Sequence, residues 1–242
     1  MPQSSTTRRL LLLSSSRDAH GVYLTHSEMV IREHFGAARR LLFVPYAGVT
    51  ITPDAYTARA SAPFAALGYQ LDSIADAADP VAAVAGAEGI LVGGGNTFRL
   101  LATLYDRNLI DAIRGRVLSG TPYMGWSAGA VITAPTIGTT NDMPIVEPRS
   151  LRALNLVPFQ INAHFTDHHP PGHNGETRAE RLEEFVAANP GVRVLGLREG
   201  QSLRILGDEI SLIGDGTAPL FVSGAARTEL TANDDLTFLL RS

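Results

Sequence analysis

Ser127 stands between two glycines in Gly125-Trp126-Ser127-Ala128-Gly129, a G-x-S-x-G frame. A serine hydroxyl is inert at neutral pH until a base takes its proton, and that base needs an acid to hold its tautomer. His164 and Glu199, each just after an apolar run, supply those two residue types in the order Ser, His, Glu. Placed at three strand ends, the three side chains can converge for acyl transfer through a covalent intermediate. The same frame also suits a small-residue helix start packed on a sheet, and the frame alone leaves both readings open.

Other residues bear on the same chemistry. Gly93, Gly94, Gly95 and Asn96 make a glycine turn after another apolar run. Successive glycine amides favour negative charge. The turn is not G-x-G-x-x-G and lacks a P-loop lysine, so an oxyanion hole is the better expectation. One amide would come from Gly94 and another from Ala128. Arg178 lies in Thr177-Arg178-Ala179-Glu180, a capping-box pattern; a guanidinium at a helix start would receive a carboxylate. Asn96 and Asp142 are expected as further substrate contacts, and Asp142 competes with Glu199 as the acid beside the histidine.

The run from His164 to His173 holds four histidines and Asp167. His164 and His168 have the spacing of a helical zinc motif, but Pro170 and Pro171 stop a helix and no H-E-x-x-H occurs. A polar loop is expected, with no metal and no cofactor.

The whole chain narrows the classes. It has 242 residues, 45% hydrophobic and 18% charged, with a net charge of −4, the profile of a soluble globular domain. No block of basic residues gives an electrostatic footprint for nucleic acid. The absence of cysteine excludes disulfides, zinc–thiolate sites and a thiol nucleophile. No run approaches the ~18 apolar residues of a membrane span. Leu10–Leu13 is shorter than the roughly 7–15 apolar residues of a secretory signal, so it reads as a first core strand in a cytoplasmic protein. Residues 1–7 are expected to be flexible. The partner expected is a small acidic peptide; a homodimer is compatible with the sequence, which does not fix an oligomeric state.

These residues must be held by an alternating α/β pattern. Strands are expected over Arg9–Ser14, Arg40–Pro45, Tyr69–Ile74, Gly89–Val92, Thr121–Trp126, Val157–Ala163 and Val192–Leu197. Helices are expected from Pro53 towards Gly68, over Pro80–Ala87, along Phe98, Leu101, Leu104, Leu109 and Ile113, and from Thr177 to Asn189. A hairpin across Gly207 and Asp208 follows, with strands near Leu220 and Leu236. One domain over 1–242 is expected: a doubly wound, mostly parallel sheet with helices on both faces and an antiparallel C-terminal edge. In such sheets ligands bind at the carboxyl ends of strands, where Ser127, His164 and Glu199 fall.

Taken together, FVPYAGVT, VGGGNTF, GWSAGA, PTIGTTNDMPIV, INAHFT and GHNGETR resemble, in order, the peptidase E family of bacterial α-aspartyl dipeptidases. The resemblance runs from about residue 8 to 200. It implies a class I glutamine amidotransferase-like fold and hydrolysis of dipeptides with an N-terminal aspartate by a Ser-His-Glu triad. Carried over by motif, the nucleophile is Ser127, the base His164 and the acid Glu199. The chain departs from the family in Asn162-Ala163, where Asn-Pro is frequent, and in its histidine-rich loop.

Three rivals stand beside this reading. An α/β-hydrolase esterase shares G-x-S-x-G but places its histidine near the C-terminus, and here none follows His173. A cyanophycinase-like enzyme would cut β-aspartyl linkages with the same triad. A non-catalytic sensor would bind an acidic ligand without turnover.

Overall fold

The computed structural model describes residues 8–17, 22–24, 27–172 and 174–241. The segment 1–7 and His173, both subjects of expectations above, lie outside the described residues. The strands are β1 (Arg9–Leu13), β2 (Arg40–Val44), β3 (Gln70–Ser73), β4 (Ile90–Val92), β5 (Tyr123–Trp126) and β6 (Gln160–Asn162). They continue with β7 (Arg193–Gly196), β8 (Ser202–Leu206), β9 (Glu209–Ile213), β10 (Ala218–Val222) and β11 (Thr228–Leu230). The helices are α1 (Glu28–Phe35), α2 (Pro53–Ala66), α3 (Pro80–Gly86), α4 (Thr97–Asp106), α5 (Leu109–Leu118), α6 (Ala128–Val131) and α7 (Arg178–Ala188).

The strands form a seven-stranded sheet in the order β3-β2-β4-β5-β1-β8-β9. Its first five strands are parallel, and β8 and β9 add the antiparallel edge. β1 is central, and all four of its leucines are fully buried because both faces are covered. Leu10 and Leu12 pack with Val84 of α3, Leu100 of α4 and Ile113 of α5. Leu11 and Leu13 face the other way, against Ile31 of α1 and Tyr56 and Phe64 of α2. Burying each such leucine contributes roughly 1.5–3 kcal/mol, so the run is a core strand for a plain energetic reason.

The expected doubly wound α/β class and its antiparallel edge are present. Three details differ from expectation. The strands leading to His164 and Glu199 belong to a second, four-stranded sheet, β11-β10-β7-β6. Its one face joins the main core, and its other is covered by Leu182 and Val186 of α7 against Phe165, Val194 and Phe221. The long helix expected over Phe98–Ile113 breaks into α4 and α5 at Asn108, which adopts a left-handed φ of 55°, a conformation asparagine tolerates better than most residues. The strand expected at Leu236 is instead a 3-10 turn over Thr237–Leu240, started by the Asp235 carboxylate accepting from the Thr237 amide at 2.9 Å.

Candidate active site

β5 ends at Trp126, and the chain turns at Ser127 into α6 with φ 53° and ψ −118°. A non-glycine residue held there stores on the order of 1–3 kcal/mol, which the surroundings must offset. They do so by hydrogen bonding: the Ser127 amide donates to the Leu13 carbonyl at 3.0 Å, and the Ala130 and Val131 amides donate to the Ser127 carbonyl. The flanking glycines are set by close approach. A Cβ at Gly125 would lie 2.2 Å from the Gly129 oxygen, and one at Gly129 would lie 2.1 Å from the Val92 oxygen. Of the two readings of the frame, the strained strand-to-helix turn is the one the backbone adopts.

His164 follows β6 and also has a positive φ, 56°. Its amide donates to the buried Ser14 hydroxyl at 2.8 Å, which itself donates to the Leu197 carbonyl. Glu199 follows β7, the parallel partner of β6, with Asn162 in register with Gly196. The result is a continuous chain of side chains. His164 Nε2 lies 2.9 Å from Ser127 Oγ, and His164 Nδ1 lies 2.5 Å from Glu199 Oε1. A carboxylate only accepts, so it holds the proton on Nδ1 and leaves the Nε2 lone pair facing the serine hydroxyl. The His164 and Glu199 side chains are 41% and 61% exposed, so the contact orients the ring more than it stabilises the fold.

A separate cluster holds the two loops that carry His164 and Glu199. The Arg198 guanidinium meets Asp167 at 2.7 Å and Glu229 at 3.5 Å and lies over the Phe165 ring. Arg227 pairs with the same two carboxylates, and its hydrogen bond holds the Asp167 carboxyl below the usual range. Asp167 is thereby an anchor of the histidine loop. Among the described residues, no three His, Asp or Glu side chains come together as a metal-binding set.

Asp142 does not reach His164. Its Oδ2 accepts from the Thr97 amide at 2.7 Å, from the Thr97 hydroxyl and from the Thr140 hydroxyl, which places it at the start of α4. Of the two carboxylates that competed for the histidine, Glu199 is the one on it. The Asn96 side chain is committed to structure: Oδ1 caps α4 at the Arg99 amide, and Nδ2 donates to the Met143 carbonyl. Arg178 opens α7 beneath a complete Thr177–Glu180 capping box. One of its nitrogens donates to the His164 carbonyl. Burial lowers the Arg178 pKa, with Arg181 adding to the effect and Glu199 opposing it.

The glycine turn packs directly on the serine. A Cβ at Gly94 would fall 2.9 Å from Ser127 Cβ. Behind it, the Tyr56 hydroxyl donates to the Gly94 carbonyl at 2.9 Å and accepts from Trp126 Nε1 at 3.1 Å. Ser127 and His164 form a shared wall between two cavities. One, of about 230 Å³, is lined by Ala128, Thr97, Thr140, Asp142 and Arg178. The other, of about 450 Å³, lies on the glycine-turn side. Two hollows of about 590 and 680 Å³ are larger but touch none of these groups; size alone does not mark the site.

Sequence reading missed Ser14 and the Arg198–Asp167–Arg227–Glu229 cluster. Only strand pairing could have revealed them, because each acts across more than twenty residues of chain.

Residues 10–213 match the sequence model of peptidase family S51. A peptidase E of Nostoc sp. is 45% identical over 235 residues, covering 97% of each chain. A peptidase E of Shewanella sp. strain ANA-3 is also 45% identical, over 97% of this chain and all of its own. Among solved structures, a peptidase from an acI-B1 actinobacterium superposes with a TM-score of 0.70 at 20% identity, over 97% of this chain and 98% of that one. A Listeria monocytogenes protein provisionally assigned as peptidase E gives 0.64 at 24% identity, over 86% and 99%. The two structures establish likeness of fold.

Proposed function

The chain belongs to peptidase family S51, and from that premise we propose that it is a serine dipeptidase that releases an N-terminal aspartate from Asp-X. The observation that carries the reading is the unbroken hydrogen-bond chain from Ser127 Oγ through His164 to Glu199. Ser127 Oγ attacks the Asp-X carbonyl carbon as its proton passes to His164 Nε2. Glu199 stabilises the imidazolium that forms. The tetrahedral intermediate collapses as the C–N bond breaks, with His164 returning the proton to the leaving amine. Water, deprotonated by His164, then cleaves the acyl ester, and the proton returns to Ser127 Oγ as aspartate leaves.

The Gly94 and Ala128 amides are assigned to the oxyanion. Support for this is the packing of the glycine turn against Ser127 and the position of Ala128 directly after it. One such donor is worth roughly 3–4 kcal/mol in the transition state.

The smaller cavity fits the N-terminal aspartate. Arg178 offers a cation for the side-chain carboxylate, and Asp142 has its Oδ1 left for the α-ammonium, since its side-chain hydrogen bonds all fall on Oδ2. Asn96 serves as the cap that places α4 and the turn. A cytoplasmic location belongs to the same reading, and cell fractionation tests that part.

The deciding experiment compares Asp-Leu, Glu-Leu, β-Asp-Leu and a simple ester, each with the native chain and with Ser127→Ala. Asp-Leu turnover that vanishes in Ser127→Ala is expected. Preferred cleavage of β-Asp-Leu would replace the reading with a β-aspartyl peptidase. No turnover, and no labelling of Ser127 by a serine-directed phosphonate, would leave a binding protein.

A further inference from the structure

The cavity on the glycine-turn side of Ser127 has a different chemistry from the one that holds Arg178. Its walls bring in Arg17 from beyond the end of β1 and Arg59 from α2, together with Tyr23 and Thr50. None of its described lining residues is Asp or Glu. The smaller cavity carries one cation and one anion, Arg178 and Asp142. The nucleophile therefore lies between a compartment of mixed charge and one whose described lining carries Arg17 and Arg59 and no carboxylate.

Arg59 owes its place to Tyr56. The two are three residues apart on α2 and share a face, and Tyr56 is fixed by its hydroxyl between Gly94 and Trp126. Side chains on a helix lean toward its N-terminus, and Arg59 lines the pocket together with Tyr56. Its charge is felt at the phenols of Tyr23 and Tyr56, where it opposes the upward push of burial. All 20 basic residues of the chain are arginine, so the choice of arginine carries no information here; the placement does.

We infer that this second cavity receives the leaving residue of the substrate, and that Arg59, with Arg17 beside it, binds its free C-terminal α-carboxylate. The inference rests on the serine dipeptidase reading and extends it to the other side of the scissile bond. An Asp-X dipeptide presents an ammonium and a carboxylate on the acyl side and one carboxylate on the leaving side. That matches the charges of the two compartments. A volume of about 450 Å³ accommodates one amino acid of most sizes. A longer peptide would place a neutral amide where the carboxylate sits, leaving a cation without its partner. The length limit then comes from charge as well as space.

The test compares Asp-Leu with Asp-Leu amide, which differ only in that carboxylate. The native chain is expected to favour the free acid by at least tenfold in kcat/KM. In Arg59→Ala the ratio should fall toward one, and Arg59→Lys should restore part of it. A native ratio near one, or a ratio unchanged in Arg59→Ala, would overturn the inference while Asp-Leu turnover kept the dipeptidase reading intact. A native chain that cleaves neither substrate would overturn both.

Discussion

Ser14, at the end of β1, accepts the backbone amide of His164 at 2.8 Å through its buried hydroxyl. The two residues lie 150 positions apart and belong to different sheets. One hydroxyl thus sets the position of the base against the sheet that carries the nucleophile, because Ser127 hangs from Leu13, the neighbour of Ser14.

Ser14→Ala should therefore damage catalysis more than binding. The Leu197 carbonyl keeps the Phe165 amide as a donor, but the His164 amide loses its partner, at a cost of about 1–3 kcal/mol if it stays buried. The expected result is a lowered melting temperature, followed by the fluorescence of Trp126, and a kcat reduced at least tenfold with KM little changed. An unaltered kcat would show that His164 is placed without this joint.

Glu199→Gln and Asp142→Asn separate two carboxylates that sequence left in competition. Glutamine can present its amide to His164 Nδ1 and favour the wrong tautomer, so kcat should fall on the order of 10²–10⁴-fold with the fold unchanged. Asp142→Asn keeps an oxygen for Thr97 but loses the charge assigned to the substrate ammonium. It should raise KM and leave kcat within a few-fold. The opposite pattern in steady-state kinetics would exchange their roles.

Gly129→Ala probes the turn itself. The added methyl would meet the Val92 carbonyl at 2.1 Å, and neither backbone can retreat, because Val92 lies within the central sheet. Destabilisation of about 1–3 kcal/mol or more is expected. Gly115→Ala is the control: it sits in α5 with nothing within 4 Å of the new Cβ, and should add up to about 1 kcal/mol through helix propensity. Urea unfolding of both variants checks the contrast.

Much of this site was legible because each functional side chain follows an apolar run, and apolar runs bounded by turns are the strongest strand signal. Ser127, His164 and Glu199 were found that way, and the Thr177–Glu180 cap from its spacing. The decision between Glu199 and Asp142 was not legible. Both are loop carboxylates, and only the register of β6 with β7 brings Glu199 beside the histidine. Asn96, expected to touch substrate, instead caps α4, as asparagine before a helix commonly does. Ser14, one of three consecutive serines, had no local mark at all. The division into two sheets was equally hidden, since short strands show the same pattern whichever sheet they join.

His34 gives the fold a pH dependence unrelated to catalysis. It lies fully buried on α1, with Nε2 donating to the Tyr123 carbonyl at 3.0 Å and Nδ1 without a hydrogen-bond partner. Burial, with Arg9 and Arg204 adding to it against the Tyr123 bond, pushes its pKa down to about 3. The unfolded chain protonates this imidazole near its ordinary value of about 6.5, so between those two values the unfolded state binds the extra proton. Stability from this group is complete above the unfolded value and is lost as pH falls toward 3, with a slope of at most about 1.4 kcal/mol per pH unit. His34→Gln, which can keep a donor for Tyr123, should flatten the acid limb of a plot of unfolding free energy against pH. An acid limb of unchanged slope in that variant would assign the loss to other groups.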